Sequence, residues 1–263
     1  MKVGFVQFSP VFGQVEDNIS RAECFIESVE ADLLVLPELF NTGYLITSRE
    51  EIEKLAEPVP SGITTEALSE MASRRSCYLV AGIAERDDDK IYNSAVCVGP
   101  HGFIGAYRKI HLFSEEKNWF SPGNREFQVY DIGVCRIGIM ICFDWIFPES
   151  MRTLSLKGAH VICHPSNLVL PFCQDAMKTR SLENRVYSIT ANRTGSEERG
   201  DKKLSYTGKS QVMSPEAELI IRSGDDTEEA HAVAIDISKA EKKLLNEYND
   251  LFKDRRPEFY FIP

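Results

Sequence analysis

Three side chains in this sequence could cooperate in chemistry. Cys142 ends the apolar run IGIMI and is followed by Phe143, Asp144 and then Pro148, a residue suited to opening a helix. A thiol in such a turn has an exposed sulfur, backbone N–H donors close by, and a lowered pKa where the helix field is aimed at it. Glu38 follows the apolar run DLLVL through LPEL, and Lys109 sits in AYRKIHLF at the end of another strand-like segment. The carboxyl ends of strands are where α/β sheets keep their ligand crevices. Singly, each residue has a plain structural reading: a buried inert cysteine, a solvated acid, a surface lysine beside Arg108. Together they form a complete set for acyl transfer, in which the carboxylate takes the thiol proton, the sulfur attacks, and the ammonium stabilises the oxyanion.

The elements that must position these groups follow from apolar periodicity. Residues 3–8 read as a buried strand, 18–30 as an amphipathic helix with Ile19, Ala22, Phe25, Ile26 and Val29 on one face, and 32–36 as a short apolar strand. That order predicts α/β layering with both faces of the sheet covered. A helix over 64–76 leads into a strand over 78–84, and the charged turn RDDDK separates it from a strand over 92–98, a hairpin that makes the sheet mixed. A strand over 102–107 precedes the long loop 111–125, and loops of such length are usually functional. Strands over 135–141, 159–163 and 187–191 then alternate with helices over 148–157 and 175–185. Later strands fall at 209–213, 218–221 and 231–235, followed by a charged helix over 238–249 and the aromatic tail PEFYFIP. No linker-like composition shift divides the chain, so one domain over residues 1–263 is expected, with about a dozen strands in two sheets and helices outside them.

Composition narrows the partners. At 263 residues with 43% hydrophobic and 27% charged, the chain can bury a sizeable core. Its net charge of −10 repels polyanions and argues against nucleic acid. No apolar run approaches the roughly 20 residues needed to span a bilayer, and MKVGFVQFSP lacks a secretory signal pattern, so no membrane association and a cytoplasmic location are expected. Seven dispersed cysteines, an odd number without a C-x-x-C pair, read as free thiols in a reducing compartment. The sequence has no G-x-S-x-G, G-x-G-x-x-G or H-E-x-x-H, and Lys203 stands where a TGKS phosphate loop would need its first glycine. His160, Cys163 and His164 could suggest zinc, but neighbours on a strand point to opposite faces, so neither a metal nor another cofactor is expected. A Cys–His hydrolase using His111, His160 or His164 as base is a rival chemistry, and a binding or scaffold protein on the same fold is the non-enzymatic one.

The words LPELFNTGY, YRKIHLF and GIMICFDWIFPE, in that order, resemble the Glu–Lys–Cys motifs of the nitrilase superfamily of carbon–nitrogen hydrolases, and HPSN, RSLENRVY and DLFKDRRPEFY extend the likeness over the chain. The resemblance is to the short, free-standing nitrilase/amidase branch, with no synthetase partner domain and no N-terminal extension. It implies a four-layer α-β-β-α sandwich of two mixed sheets, pairing through helices into a homodimer. It also implies that Glu38, Lys109 and Cys142 are catalytic, and that a second glutamate stands beside the lysine. Glu116, seven residues before Gly123, is a better match for that glutamate than its neighbour Glu115. The expected reaction cleaves a small carboxamide to carboxylate and ammonia through a thioester, with the Phe143 N–H as a second oxyanion donor. A small aliphatic nitrile or an N-carbamoyl compound is the alternative substrate. Position alone makes Tyr44, Trp119, Trp145 and Asn167 candidates for the substrate pocket, and the tail 250–263 is expected to dock on a dimer mate.

Overall fold

The computed structural model describes residues 1–260. The amino-terminal half supplies β1 (Lys2–Gln7), α1 (Val15–Ser28), β2 (Leu33–Val35), α2 (Arg49–Leu55), β3 (Glu57–Pro58) and α3 (Ile63–Arg75). Three long strands follow: β4 (Tyr78–Asp87), β5 (Lys90–Gly99) and β6 (Gly102–Arg108). After α4 (Glu116–Trp119) come β7 (Val129–Asp131), β8 (Arg136–Ile139), a 3₁₀ turn over Cys142–Ile146, α5 (Pro148–Leu156), β9 (Val161–Ser166), α6 (Cys173–Asn184) and β10 (Tyr187–Asn192). The last part holds β11 (Ser196–Arg199), β12 (Lys202–Ser205), β13 (Gln211–Met213), β14 (Leu219–Arg222), β15 (Glu229–Ala234) and α7 (Ser238–Glu241).

One sheet runs β15-β1-β2-β4-β5-β6 with β3 beside β4, and the other runs β14-β13-β10-β9-β8-β7. Both are mixed: β1-β2-β4 and β8-β9-β10 pair in parallel, and their flanks pair antiparallel. Side-chain alternation explains the layers. In the first sheet Val3, Phe5, Leu33, Val35 and Val80 join Ile139, Val161 and Ile189 of the second in one apolar core. The intervening Leu34, Leu79 and Ala81 face Ile19, Ala22 and Ile26 of α1 and Leu68 and Met71 of α3. On the second sheet α5 and α6 contribute Met151, Leu154 and Met177. The order is therefore helix, sheet, sheet, helix, as the motifs implied. Each of the Val, Leu, Ile, Phe and Met side chains among these contributes roughly 1.5–3 kcal/mol by leaving water.

Several expectations need correction. The described residues form fifteen strands, and β11–β12 make a separate two-stranded ribbon outside both large sheets. The long loop carries a helical turn, α4, and α2 was not foreseen. The charged helix expected over 238–249 stops at Glu241. There the Lys243 ammonium turns to donate to the carbonyls of Asn184 and Arg185, at 3.2 and 2.8 Å, and Leu244 bridges to Asp250. Asn246 and Asp250 accept from backbone N–H groups two and three residues ahead, the local bonding by which Asn and Asp break helices. Of the tail, Phe259 and Tyr260 are exposed, and residues 261–263 lie outside the described region.

Candidate active site

Three strand ends bring the chemistry together. Beyond β2 the chain stays bound to β4: Leu36 N–H donates to the Val80 carbonyl at 2.8 Å, Gly82 N–H to Pro37 at 3.1 Å, and Phe40 N–H to Gly82 at 3.0 Å. Glu38 sits within this clamp. A Cβ on Gly82 would lie 2.4 Å from the Glu38 Cα, so only glycine permits the approach. Lys109 follows β6 directly. Its N–H donates to the Asn93 carbonyl and its own carbonyl accepts from Gly123 N–H, both at 2.8 Å. Gly123 is required as well, because a Cβ there would lie 2.2 Å from the Arg108 carbonyl oxygen.

Cys142 opens the 3₁₀ turn after β8 with φ of +39°, a left-handed conformation that costs a non-glycine residue about 1–3 kcal/mol. Hydrogen bonds hold it from both sides. Asp144 accepts from Ile141 N–H at 2.8 Å, from the Tyr107 hydroxyl at 2.8 Å and from the His111 ring at 2.7 Å. His164 lies 2.9 Å from the Cys142 carbonyl through Nε2 and 3.1 Å from the Thr190 hydroxyl through Nδ1. A carbonyl can only accept, so Nε2 carries the proton and Nδ1 accepts from Thr190. Burial, partly offset by that carbonyl, lowers the His164 pKa to about 4, so the ring is neutral.

At the centre the Lys109 ammonium bridges Glu38 Oε1 at 2.6 Å and Glu116 Oε1 at 2.7 Å, with all three side chains buried. Asn93 donates to Glu38 Oε1 at 2.7 Å, and the Tyr44 hydroxyl donates to Glu116 Oε1 at 2.7 Å. Glu38 Oε2 is buried without a hydrogen-bond partner. Burial alone would pull the Lys109 pKa down, but Glu116 and Glu38 outweigh it and raise it, so the ammonium stays charged. Burial, followed by Glu38, pushes the Cys142 thiol well above its ordinary range, against opposing pulls from Lys109 and the Asn167 backbone N–H. Burial also raises Glu116, against the pull of Lys109. The centre therefore combines a neutral thiol, a charged ammonium and a buried carboxyl oxygen without a hydrogen-bond partner.

Two cavities share the walls Phe113 and Val169. The smaller is lined by Cys142, Phe143, Trp145 and Asn167, and the larger, of about 270 Å³, by Tyr44, Trp119 and Glu116 among others. All four residues expected on the pocket wall thus line one cavity or the other. Asn167 also donates its side-chain N–H to the Glu38 carbonyl at 2.8 Å. Glu116 is buried and meets Lys109 at 2.7 Å, whereas Glu115 is partly exposed and pairs with Lys202 at 2.7 Å. His111 faces Asp144, His160 faces Arg136, and His164 faces a carbonyl, so these contacts do not supply the base of a Cys–His pair. Among the described residues no group of His, Cys, Asp or Glu is arranged to hold a metal, and no helix is long and apolar enough to cross a membrane.

Sequence reasoning missed Asn93, Asp144 and Glu197, and it weighed His164 only as a base or metal ligand rather than as a brace for the Cys142 carbonyl. Asn93 carries a signal, being a polar residue inside the apolar strand IYNSAVCV. Glu197 accepts from Leu45 N–H at 2.7 Å and from the Tyr206 hydroxyl at 2.8 Å, pairs with buried Arg193 at 2.9 Å, and so fixes the segment that carries Tyr44.

The carbon–nitrogen hydrolase family model matches residues 2–243. A protein of Pyrococcus abyssi named nitrilase is 50% identical, over 99% of each chain. An (R)-stereoselective amidase from a Pseudomonas species is 33% identical, over 97% of this chain and 92% of its own. Among solved structures, Saccharomyces cerevisiae Nit3, a member of branch 10 of the nitrilase superfamily, superposes with a TM-score of 0.81 at 28% identity, over 92% of each chain. The chain belongs to the carbon–nitrogen hydrolase family, as a hydrolase of the nitrilase and amidase type.

Proposed function

We propose that the chain hydrolyses a small carboxamide to a carboxylate and ammonia through a thioester on Cys142. The observation that carries this reading is the unpartnered Glu38 Oε2 beside a buried neutral thiol and the Lys109 ammonium. A thiol whose pKa is raised needs a base at the moment of attack. Glu38 takes the S–H proton as Sγ bonds to the carbonyl carbon. The oxyanion is held by Lys109 and the Phe143 N–H, one of the donors that the first turn of a helix leaves unpaired. Collapse breaks the C–N bond while Glu38 returns its proton to the departing ammonia. Water, deprotonated by Glu38, then attacks the thioester, and the proton goes back to the thiolate sulfur. Glu116 holds the lysine; Tyr44, Trp119, Trp145 and Asn167 shape the pocket.

Nitrile hydrolysis is the second reading, supported by the name of the Pyrococcus abyssi relative. The same groups would serve, with a thioimidate formed first and one further water consumed. Both readings are tested by ammonia release from small amides, carbamoyl compounds and nitriles, beside Cys142→Ala, with intact-mass detection of the adduct. A Cys142-dependent acyl adduct from amides is expected, and ammonia release retained by Cys142→Ala would overturn the assignment.

The chain is further proposed to act as one domain over 1–263, as a homodimer, in the cytoplasm. Exposed Ile146, Leu156, Phe172 and Leu182, on or beside α5 and α6, and the exposed Phe259 of the tail support an interface with a second copy. The cysteines are free, as suits a reducing compartment.

A further inference from the structure

We infer that the site selects amides with a neutral, apolar acyl group, and that Glu115 enforces this by neutralising Lys202 at the pocket wall. The inference rests on the hydrolase reading and names the substrate class of that site. The walls of the larger cavity are mainly apolar, built by Leu45, Ile46, Phe113, Trp119, Phe120 and Val169. Four charged side chains, Glu115, Glu116, Lys202 and Lys203, also reach the lining, and each is already paired. Lys202 pairs with Glu115 at 2.7 Å, Lys203 with Glu198 at 3.2 Å, and Glu116 with Lys109 at 2.7 Å.

Charge at the reacting centre points the same way. Two carboxylates, Glu38 and Glu116, face one ammonium, Lys109. A substrate bearing a carboxylate at the far end of its acyl group would bring its charge into an apolar cavity near these two acidic side chains, without a free cation in the lining to receive it. A substrate ammonium would find Glu115 already committed to Lys202. An uncharged alkyl or aryl group loses nothing on entering and gains by leaving water.

Glu115 is the removable part of this arrangement. It stands one residue before α4, and its carboxylate accepts from Lys202 of β12 at 2.7 Å on the cavity wall. With Gln at 115, the Lys202 ammonium keeps its place and loses its counter-charge, which creates the anion site that the natural pocket lacks. The pair is partly exposed, so the gain is modest.

The test compares 4-methylpentanamide with succinamate, which has a carboxylate in place of the isopropyl group. Ammonia release by the full chain should favour 4-methylpentanamide by at least about tenfold in kcat/KM. Glu115→Gln should shift the ratio of the two values toward succinamate by up to about fivefold, and adding Lys202→Gln should abolish the shift. Equal or better turnover of succinamate by the natural chain overturns the substrate class. A ratio that Glu115→Gln leaves in place overturns the role of Glu115. Protection of Cys142 against iodoacetamide, read by intact mass, separates this inference from the catalytic one. Should neither amide release ammonia, the carboxamide reading fails, yet stronger protection by 4-methylpentanamide upholds the pocket's preference, and equal or stronger protection by succinamate ends it.

Discussion

Lys109 has two tasks whose removal should be separable. It is the fixed cation of the proposed oxyanion site, and among the described residues it is the one ammonium between the buried carboxylates Glu38 and Glu116. Lys109→Ala should lower kcat about a hundredfold to a thousandfold. It should also cost about 3–5 kcal/mol of stability, because two buried like charges lose their partner. The facing carboxylates would then raise one another's pKa, so the folded variant holds a proton that the unfolded chain releases. Its stability therefore falls as pH rises above the ordinary carboxylate range, and the deficit against the natural chain shrinks on acidification. Urea titrations at pH 5 and 7.5 check the sign, and a second change, Glu116→Gln, should recover stability without recovering turnover. At this scale the reactive residues were legible because each sits in a distinctive word at a strand end. The supporting roles of Asn93, Asp144 and His164 were not, since Glu38, the Tyr107 hydroxyl and the Cys142 carbonyl lie 55, 37 and 22 residues from them and meet them only after the sheets form.

The 3₁₀ turn over Cys142–Ile146 is where element geometry becomes chemistry. A nucleophile held at positive φ needs its carbonyl restrained, and His164 supplies that restraint from β9. The folded His164 pKa of about 4 lies below the ordinary 6.5, so between these values the unfolded chain binds a proton that the folded chain refuses. The stability owed to neutral His164 is present above pH 6.5 and is lost as pH falls toward 4. His164→Asn should flatten the dependence of the urea midpoint on pH across that window. It should also lower kcat, with a smaller change in KM, because the turn carrying Cys142 is freed. An unchanged pH profile would remove His164 from this role. Long apolar strands and amphipathic helices were legible from period alone, but three polar elements misled. In α2, Ser48 accepts from Glu51 N–H, a cap written in the sequence as SREE, yet only Ile52 is buried, so the apolar signal was absent. The ribbon β11–β12 turns at Gly200–Asp201 and is nearly all polar. The region after Glu241 has helical composition, but its Asn and Asp residues and the reach of Lys243 to α6 overrode it.

Across the whole molecule, the proposed chemistry depends on how two sheets sit on each other. Glu38 and Lys109 come from the ends of β2 and β6 in one sheet, and Cys142 from the end of β8 in the other. The apolar core between the sheets holds those ends in register, and Asn167 and the Tyr107 hydroxyl reach across to the Glu38 carbonyl and to Asp144. Ile189 of β10 belongs to that core. Its neighbour Ser188 meets Ser181 of α6 at 2.9 Å, so Ile189 points the opposite way, toward the first sheet. Ile26 of α1 is equally buried but packs in the outer, helix-facing layer. Ile189→Ala and Ile26→Ala should each cost about 2–5 kcal/mol of stability, since each leaves a cavity of similar size. Their effects on turnover should differ. A cavity between the sheets lets the thiol drift relative to the carboxylate and ammonium, and misplacement near 1 Å can cost about a hundredfold. A cavity under α1 leaves that distance unchanged. At a temperature where both variants are folded, kcat should fall at least about tenfold for Ile189→Ala and stay near the natural value for Ile26→Ala. Equal turnover in the two would mean that the loops, rather than the inter-sheet core, set the spacing of the reacting groups.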